Sequence, residues 1–315
     1  MSEKSDIIDI AVIGSGPAGM TAALYAARAG WKTTVFEQMV AGGQLGNTAR
    51  IDNYPGFPEG IDGFQLAMDM SQQAERFGVE TVSAEIVGVE LEGSVKTIFT
   101  HNERFEAKAI VLATGATARS MGIDGEEELR GRGISYCATC DGNFFRGKDV
   151  VVYGGANTAV EDSLYLAKIC NSVTIVYRRE HVRATAVYTK AAEAADNIRF
   201  KYNSVIDAVH EEGGKLSGIS IRNVKDGSTE DISAAALFVA IGSVPNTSLF
   251  EGRIDLDENG YVKADETCAT SVPGVFVAGD IRTKPLRQVV TAVSDGAVAA
   301  EGAATYLTTL AAGKH

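Results

Sequence analysis

The sequence predicts an α/β protein made of two Rossmann-like (three-layer) dinucleotide-binding domains, one inserted into the other. Two glycine-rich segments, residues 14–19 and 154–159, each follow a short apolar run and precede a helical pattern. A strand before the glycines and a helix after them form the context in which such a segment binds a dinucleotide pyrophosphate. Residues 137–141, Cys-Ala-Thr-Cys-Asp, lie between the two segments. The chain thus combines two nucleotide sites with one close cysteine pair.

The first unit follows the order strand, glycine turn, helix, strand. Residues 9–13 form an apolar run that predicts the first strand. Residues 21–29 predict a helix that Gly30 ends, and residues 32–36 predict a second strand. The amino end of such a helix offers unpaired N–H groups to a phosphate.

Each glycine of the first turn has a separate physical reason. Gly14 permits the tight turn, Gly16 lets the pyrophosphate approach the backbone, and Gly19 lets the helix pack on the strand. Glu37 follows Gly19 by 18 residues, where a carboxylate can accept hydrogen bonds from ribose hydroxyls. The predicted cofactor-binding residues here are Gly14, Ser15, Gly16, Pro17, Ala18, Gly19 and Glu37.

The second unit repeats this plan with residues 149–153, 158–169 and 173–176 as strand, helix and strand. At the position of Glu37 it has Tyr177, which arginines follow. Arginine binds a 2′-phosphate with charge-assisted hydrogen bonds, whereas a carboxylate repels it. The first unit therefore suits FAD or NAD, and the second suits NADP. The predicted residues of this site are Gly154, Gly155, Asn157, Thr158, Ala159, Arg178, Arg179 and Arg183.

Ala156 occupies the second glycine position of the second turn. Its methyl group would crowd a pyrophosphate that approaches the backbone, so we expect weaker nucleotide binding there rather than none.

Further repeats indicate how the domains are divided. Residues 109–115 and 237–242 are apolar strands that end in glycine, one late in each unit, and residues 274–280 predict one more strand for the first. We therefore predict one domain from residues 1–117 and 249–315, with residues 118–248 inserted. A hinge is expected where the chain crosses between them, near residues 116–119 and 244–248, with domain rotation during turnover.

Composition narrows the class of protein. The chain has 315 residues, 45% of them hydrophobic, and a formal net charge of −12, which argues against nucleic acid or an anionic membrane as the main partner. The apolar residues 7–13 are too short for a signal-peptide core and are better explained as a strand after the polar residues 1–6. We expect a cytoplasmic protein.

Four cysteines in a cytoplasmic chain do not form a structural disulfide framework, so the close pair is expected to be catalytic or metal-binding. A closed zinc site usually needs four ligands, and Cys170 and Cys268 are single and distant. We expect no metal and interpret these two cysteines as small buried apolar residues. The histidines, which show no ligand pattern, are His101, His181, His210 and His315.

These motifs together resemble the low-molecular-weight, bacterial-type thioredoxin reductases, FAD-dependent members of the pyridine nucleotide-disulfide oxidoreductases, over nearly the whole chain. The motifs that carry the resemblance are residues 14–19, 42–45, 113–116, 131–133 with 137–142, 157–159, 178–179 with Arg183, and 279–280 with 287–288. The resemblance implies FAD on the divided domain, NADPH on the inserted domain, thioredoxin as the partner and a homodimer.

The resemblance also implies roles for individual residues. Cys140 would be the sulfur nearer the flavin, Cys137 would attack the partner's disulfide, and Asp141 would be the acid–base group. Phe144 and Phe145 would be candidates for docking thioredoxin, although Asn143 departs from the family's more aromatic run and leaves the preferred thioredoxin open. The implied flavin-site residues are Gly42, Gln44, Leu45, Asn53, Thr114, Gly115, Gly279, Asp280, Arg287 and Gln288.

Tyr177 stands where the family often has histidine, and we expect this difference to matter little. Three alternatives share the fold. A flavin-dependent dithiol oxidase or a ferredoxin-linked thioredoxin reductase would lack the arginine cluster, which this chain keeps. A non-catalytic redox-sensing or scaffold module would be expected to lose a cysteine or flavin-lining residues, which are also present.

Overall fold

The computed structural model describes residues 7–38, 42–48 and 50–313, so residues 1–6 and His315 lie outside the described chain. The contacts divide the chain into two compact units. The first unit is Met1–Thr117 with Val244–His315, and the second is Ala118–Ser243.

The second crossing between the units lies five residues earlier than the sequence suggested, after Ser243 instead of residue 248. The reason is that the connecting residues bond to the first unit. Asn246 donates to the carbonyl of Thr114 (2.8 Å), and Thr247 donates to the carbonyl of Gly260 (2.9 Å). The two connecting segments, Ala116–Ala118 and Ser243–Pro245, pair as a two-stranded sheet.

The described chain forms strands and α-helices in the following order. The strands are β1 (Ile8–Ile13), β2 (Thr33–Glu37), β3 (Glu80–Ser83), β4 (Ile86–Glu90), β5 (Lys96–Thr100), β6 (Arg104–Leu112), β7 (Ala116–Ala118), β8 (Ile134–Ser135), β9 (Asp149–Tyr153), β10 (Ser172–Tyr177), β11 (Ile198–Tyr202), β12 (Ser204–Glu212), β13 (Lys215–Asn223), β14 (Thr229–Ser233), β15 (Ala236–Val239), β16 (Ser243–Pro245) and β17 (Val275–Val277). The helices are α1 (Pro17–Arg28), α2 (Gly63–Glu75), α3 (Ala138–Asp141), α4 (Asn157–Ala167), α5 (Ala186–Glu193) and α6 (Val289–Ala311).

The first unit is organised by a seven-stranded sheet in the order β3-β2-β1-β6-β5-β4, with β17 also pairing β6. The neighbouring strands β3, β2, β1, β6 and β17 pair in parallel. Strand β5 pairs antiparallel with β6 on one side and with β4 on the other. Side chains alternate along β1, as a strand requires: Ile10 and Val12 face α1 and α6, while Ala11 and Ile13 face Phe250 and its neighbours.

The second unit has a five-stranded, all-parallel sheet in the order β11-β10-β9-β15-β8. Val150 and Val152 of β9 pack toward the helices, and Val151 packs toward the antiparallel sheet β12-β13-β14. Helices, parallel sheet and antiparallel sheet make three layers. The predicted α/β class is confirmed.

Several elements differ from the sequence prediction in their bounds. Helix α1 begins at Pro17, four residues early, because proline suits the first helical position and lacks the N–H that would stay unpaired there. The strand expected over residues 274–280 is only Val275–Val277, and a 3₁₀ turn, Gly279–Ile281, follows it.

The turn after β17 is held by a buried group of charges. Asp295 of α6 accepts hydrogen bonds from the backbone N–H of Gly279 (3.0 Å), from Arg282 Nε (3.0 Å) and from Lys284 Nζ (2.5 Å). All three side chains are buried: Arg282 is 7% exposed, Lys284 is 4% exposed and Asp295 is 8% exposed. Removing one partner of such a group leaves the other charges buried and uncompensated.

No helix within the described parts of the chain is long and apolar enough to cross a membrane.

Asp295→Asn is expected to lower the free energy of unfolding by about 3–5 kcal/mol, because Arg282 and Lys284 keep their charges in a buried place. Thermal unfolding followed by circular dichroism measures the loss. Glu106→Gln is the control, since it breaks the more exposed Arg104–Glu106 pair, worth about 0–1 kcal/mol. Equal losses of unfolding free energy in Asp295→Asn and Glu106→Gln would contradict the conclusion that the buried charges hold this turn.

Candidate active site

The two motif cysteines form a disulfide in the second unit, with their Cα atoms 5.3 Å apart. Strand β8 ends at Ser135, and the four-residue helix α3 begins at Ala138, so the pair sits at a strand-to-helix transition. Cys137 Sγ accepts a hydrogen bond from the backbone N–H of Cys140 (3.2 Å). Both cysteines are half-buried. The geometry makes this disulfide the redox-active candidate of the described chain.

Asp141 ends helix α3 directly after Cys140. Its Oδ2 accepts a hydrogen bond from Ser135 Oγ (2.6 Å), and its backbone N–H donates to the carbonyl of Cys137 (3.1 Å). Burial raises the pKa of the Asp141 carboxyl above its ordinary value, and the Ser135 hydrogen bond offsets part of that rise. A carboxyl group with a raised pKa beside a disulfide suits proton transfer.

Tyr136 and Glu126 form a second anchor for the cysteine segment that no sequence motif revealed. The Tyr136 hydroxyl donates to the buried Glu126 carboxylate, which also accepts from the backbone N–H groups of Met121 and Gly122 (2.8 Å each) and from Ser120 Oγ (3.0 Å). Burial favours the neutral form of Glu126, but these hydrogen bonds prevail and lower its pKa. The residue before Cys137 is therefore fixed to a charged side chain.

The glycine turn of the first unit has the geometry that the sequence predicted. Gly14 has φ +102°, and a Cβ there would lie 2.4 Å from the carbonyl oxygen of Ala113. Gly16 caps helix α1, and a Cβ built on it meets nothing within 4 Å. The surface at Gly16 is thus open to a ligand. Pro17, Ala18 and Gly19 form the first turn of α1.

Glu37 reaches the turn from the end of β2. Its Oε2 accepts hydrogen bonds from the backbone N–H of Ser15 (3.1 Å) and from Ser15 Oγ (2.6 Å). Ser15 in turn holds Gly42, whose N–H donates to both its carbonyl (3.1 Å) and its hydroxyl (3.2 Å). The structure therefore brings the turn, the acid and the residue 42 segment together.

The remaining flavin-site candidates lie in the same unit. Gln44 donates to the carbonyl of Ala116, and Asn53 donates to the side-chain oxygen of Gln288 (2.9 Å). Gln288 caps helix α6, and Leu45 is buried. Thr114 and Gly115 both bond to Asn246.

Asp280 gives the clearest sign of a ligand in the first unit. Its Oδ1 is buried and has no hydrogen-bond partner among the described residues. Burial raises its pKa, while the nearby charges of Lys284 and Arg287 lower it. Arg287 donates to the carbonyl of Asp280 (3.2 Å) and its guanidinium lies 4.0 Å from the centre of the Tyr261 ring. An orphaned acceptor beside an open glycine turn fits a hydroxyl-rich dinucleotide.

The second glycine turn joins β9 to helix α4, with Gly154 at the strand end and Ala156 as the helix cap. Ala156 and Gly16 have similar extended conformations, so the methyl group of Ala156 causes no backbone strain. The side chain of Asn157 makes a hydrogen bond within the protein: its Oδ1 accepts from the backbone N–H of Thr185 (2.8 Å). Thr158 is exposed and Ala159 is buried.

The three arginines predicted for the nucleotide site, Arg178, Arg179 and Arg183, are exposed and lie beside this turn. Arg178 and Arg179 directly follow β10, and the backbone N–H of Arg183 donates to the carbonyl of Gly155 (2.6 Å). That bond brings Arg183 back to the glycine turn. The described residues include no carboxylate within ion-pair distance of these guanidinium groups, which can therefore receive a phosphate.

Tyr177 matters more to the fold than we expected from its replacement of a histidine. It is buried, and a Cβ at Gly155 would lie 2.5 Å from its ring. In the first unit the corresponding positions are Ser15 and Glu37, which share a hydrogen bond. The second unit thus replaces a polar contact by packing of an aromatic ring on a glycine.

The two candidate docking residues differ in their exposure. The Phe144 side chain is 51% exposed, whereas Phe145 packs edge-on against Phe238 with ring centres 5.8 Å apart. Only the first of the two offers its ring to a partner.

No cluster of three or more His, Cys, Asp or Glu side chains in the described ranges is placed to hold a metal ion. Cys170 and Cys268 are buried free thiols, and burial raises the pKa of both, to about 11 for Cys268.

Two dinucleotide turns and a redox cysteine pair define a disulfide oxidoreductase of the pyridine nucleotide class, and the comparisons agree. The family model described as pyridine nucleotide-disulphide oxidoreductase matches residues 8–296. The chain therefore belongs to the pyridine nucleotide-disulphide oxidoreductase family.

The resemblance drawn from the motifs is confirmed by individual relatives. A thioredoxin reductase of Streptomyces clavuligerus is 45% identical over 98% of this chain and 96% of its own. The solved thioredoxin reductase of Streptococcus pyogenes is 42% identical, with a TM-score of 0.90 over 96% of this chain and 99% of its own. That of Giardia duodenalis is 38% identical, with a TM-score of 0.90 over 96% and 100%.

Gly155→Ala is expected to lower the stability of the second unit by about 1–3 kcal/mol, because the new methyl group overlaps the Tyr177 ring. Thermal unfolding measures the loss, and the double variant Gly155→Ala/Tyr177→Ala should lose less than the two single losses combined. Gly46→Ala is the control, since its Cβ meets nothing, and it should stay within about 0.5 kcal/mol. Additive losses in the double variant would contradict the packing argument.

Proposed function

We propose that the protein reduces the disulfide of thioredoxin with electrons from NADPH, by way of FAD and the Cys137–Cys140 disulfide. The observation that carries this proposal is the disulfide itself, which lies next to the half-buried acid Asp141 in the unit that also holds the arginine-flanked glycine turn. Family membership and the thioredoxin reductases among the relatives support it.

FAD is assigned to the first unit. The open turn at Gly16, the Glu37 carboxylate and the orphaned Asp280 oxygen support this assignment. Gly42, Gln44 and Asn53 would line the flavin, and Asp280, Arg287 and Gln288 would hold its ribityl chain, pyrophosphate or ring edge. When bound, FAD accepts hydride from nicotinamide and supplies two electrons to a disulfide.

NADPH is assigned to the second unit. A 2′-phosphate gains charge-assisted hydrogen bonds from arginine, and Arg178, Arg179 and Arg183 lie exposed beside the turn. A ferredoxin-linked reductase or a dithiol oxidase would have no use for this cluster. The methyl group of Ala156 would face the pyrophosphate, and it is the feature of the site that least favours tight binding.

The two cysteines take different parts in the exchange. Cys137 would attack the thioredoxin disulfide and form a mixed disulfide, which Cys140 would then resolve. Asp141 would take the proton from the attacking thiol and return a proton to a departing sulfur. Phe144 is the exposed aromatic candidate for the contact with thioredoxin, and Phe145 supports its segment from within.

A homodimer and a cytoplasmic location complete the proposal. The first unit carries an apolar recess of about 330 Å³ between α1, α2 and α6, lined by Tyr25, Tyr54 and Phe57 among others. Tyr25 is 47% exposed, so a second copy of the chain could cover it. A chain that has two buried free thiols in addition to one redox-active cysteine pair suits a reducing compartment.

Anaerobic titration of the yellow protein is expected to bleach the flavin absorbance at low NADPH and to need far more NADH. Arg178→Ala/Arg179→Ala should weaken NADPH by about 10–100-fold with little change for NADH, because the lost hydrogen bonds go to the 2′-phosphate. Arg222→Ala, which removes an exposed arginine paired with Asp207, is the control. A protein that neither nucleotide bleaches would point instead to a dithiol oxidase or a ferredoxin-linked enzyme.

Cys137→Ser should abolish thioredoxin reduction while the protein stays yellow, because the attacking sulfur is gone and the flavin site lies in the other unit. Turnover measured with thioredoxin and NADPH, with flavin content measured in parallel, tests this. Cys170→Ala should stay active, since Cys170 is buried and donates to the carbonyl of Phe145. Retained reduction in the first variant would exclude the mechanism.

A further inference from the structure

The side chain of Ser135 contacts both the acid and the backbone of a redox cysteine. Its hydroxyl donates to Asp141 Oδ2 (2.6 Å) and accepts from the backbone N–H of Cys137 (3.1 Å). The side chain is buried at the end of β8, two residues before Cys137. The Ser135 hydroxyl also lies 3.3 Å from the carbonyl oxygen of Cys137, but its single proton faces the carboxylate oxygen of Asp141, which is nearer and can carry a charge.

We infer that Ser135 is a positioning residue for proton transfer at the disulfide: it holds the Asp141 carboxylate and fixes the acid to the backbone of Cys137. The inference deepens the proposed function and rests on it for the direction of electron flow. No sequence motif singles out this serine, because its partners become neighbours only through the turn into α3.

The proton balance shows why such a residue is needed. Two-electron reduction breaks the Cys137–Cys140 bond, leaves an electron pair on each sulfur and takes up two protons to give two thiols. NADPH, by way of FAD, supplies the electrons. When the Cys137 thiol attacks the partner's disulfide, its proton passes to the Asp141 carboxylate and then to the departing sulfur. Asp141 must therefore be ionised at one step and protonated at the next.

Two opposing effects act on the pKa of the Asp141 carboxyl group. Burial raises its pKa, and the hydrogen bond from Ser135 stabilises the ionised form and lowers it. The other titratable groups on this segment and on the packed helix α4 are Tyr136, the two cysteines, Glu161, Asp162 and Tyr165. None of these makes a charge contribution to the shift at Asp141, so removing the hydroxyl leaves burial unopposed.

The test compares pH profiles of Ser135→Ala, Ser135→Thr and the unchanged protein. In Ser135→Ala the pKa of Asp141 rises, so the carboxylate is lost at a higher pH as the solution is acidified. The acidic limb of kcat for thioredoxin reduction should move to higher pH, with about a tenfold loss on that limb and recovery toward the unchanged value on the alkaline side. Ser135→Thr keeps the hydroxyl and should restore the original profile.

Two controls make the comparison specific. Ser172→Ala removes a serine that bonds to a different carboxylate, Asp149, at 2.6 Å, and it should leave the profile unchanged. Asp162, on the packed helix α4, is another acid that could titrate in this range, because burial and the charge of Glu161 raise its pKa to about 7. The shift caused by Ser135→Ala should therefore persist in an Asp162→Asn background.

A second readout needs neither NADPH nor thioredoxin. The protein is reduced with dithiothreitol, freed of it and alkylated with iodoacetamide, and the rate at Cys137 is followed against pH by mass spectrometry. The inflection that Asp141 causes should also move to higher pH in Ser135→Ala. If thioredoxin is not reduced by the unchanged protein, the proposed function fails while this profile still tests Ser135.

Two results would overturn the inference. One is a Ser135→Ala profile that coincides with that of the unchanged protein. The other is a uniform loss of rate at every pH with a lowered melting temperature, which would make Ser135 a structural residue alone.

Discussion

The close approach of backbone to backbone at the carboxyl end of each parallel sheet is the constraint on which both nucleotide turns depend. A Cβ at Gly14 would lie 2.4 Å from the carbonyl oxygen of Ala113, and one at Gly154 would lie 2.3 Å from that of Ala240. The central strands β1 and β9 must therefore end in glycine where β6 and β15 run beside them. Each helix then begins with its N–H groups facing the same edge of the sheet.

Beyond this shared constraint the two units hold their turns by different interactions. In the first, Ser15 and Glu37 share a hydrogen bond that also holds Gly42. In the second, the Tyr177 ring packs on Gly155, and the backbone of Arg183 bonds to the same glycine. A polar support leaves a carboxylate at the first turn, and an aromatic support leaves room for guanidinium groups at the second. The two turns thus present different groups at the same place, a carboxylate at the first and guanidinium groups at the second.

Local pattern was sufficient for the parts of the molecule that short segments determine. The strand–glycine–helix units, the alternation along β1 and the position of Glu37 all follow from residues within about 25 positions of one another. The Cys137–Cys140 pair and Asp141 were also evident, because their spacing alone places them together.

Interactions between distant residues could not be read in the same way. Asp295 meets Gly279, Arg282 and Lys284 only because α6 packs beside the turn after β17. Tyr136 meets Glu126, and Ser135 meets Asp141, because the chain turns sharply around α3. The crossing at Ser243 was misplaced for a similar reason: Asn246 and Thr247 belong to the first unit through bonds to Thr114 and Gly260. Each of these depends on tertiary packing that no local pattern encodes.

The division of the first unit into two chain segments sets the order in which the molecule can assemble on the ribosome. Strand β17 and helix α6 are made last, yet β17 pairs β6 and the alanines of α6 cover those of α1. At roughly 5–20 residues per second, the nascent chain needs roughly 4–14 s after Ser243 to supply them. During that time the continuous Ala118–Ser243 unit can complete its own sheet, while the apolar face of the first sheet lacks its cover. The nascent protein therefore exposes apolar surface that the finished protein buries.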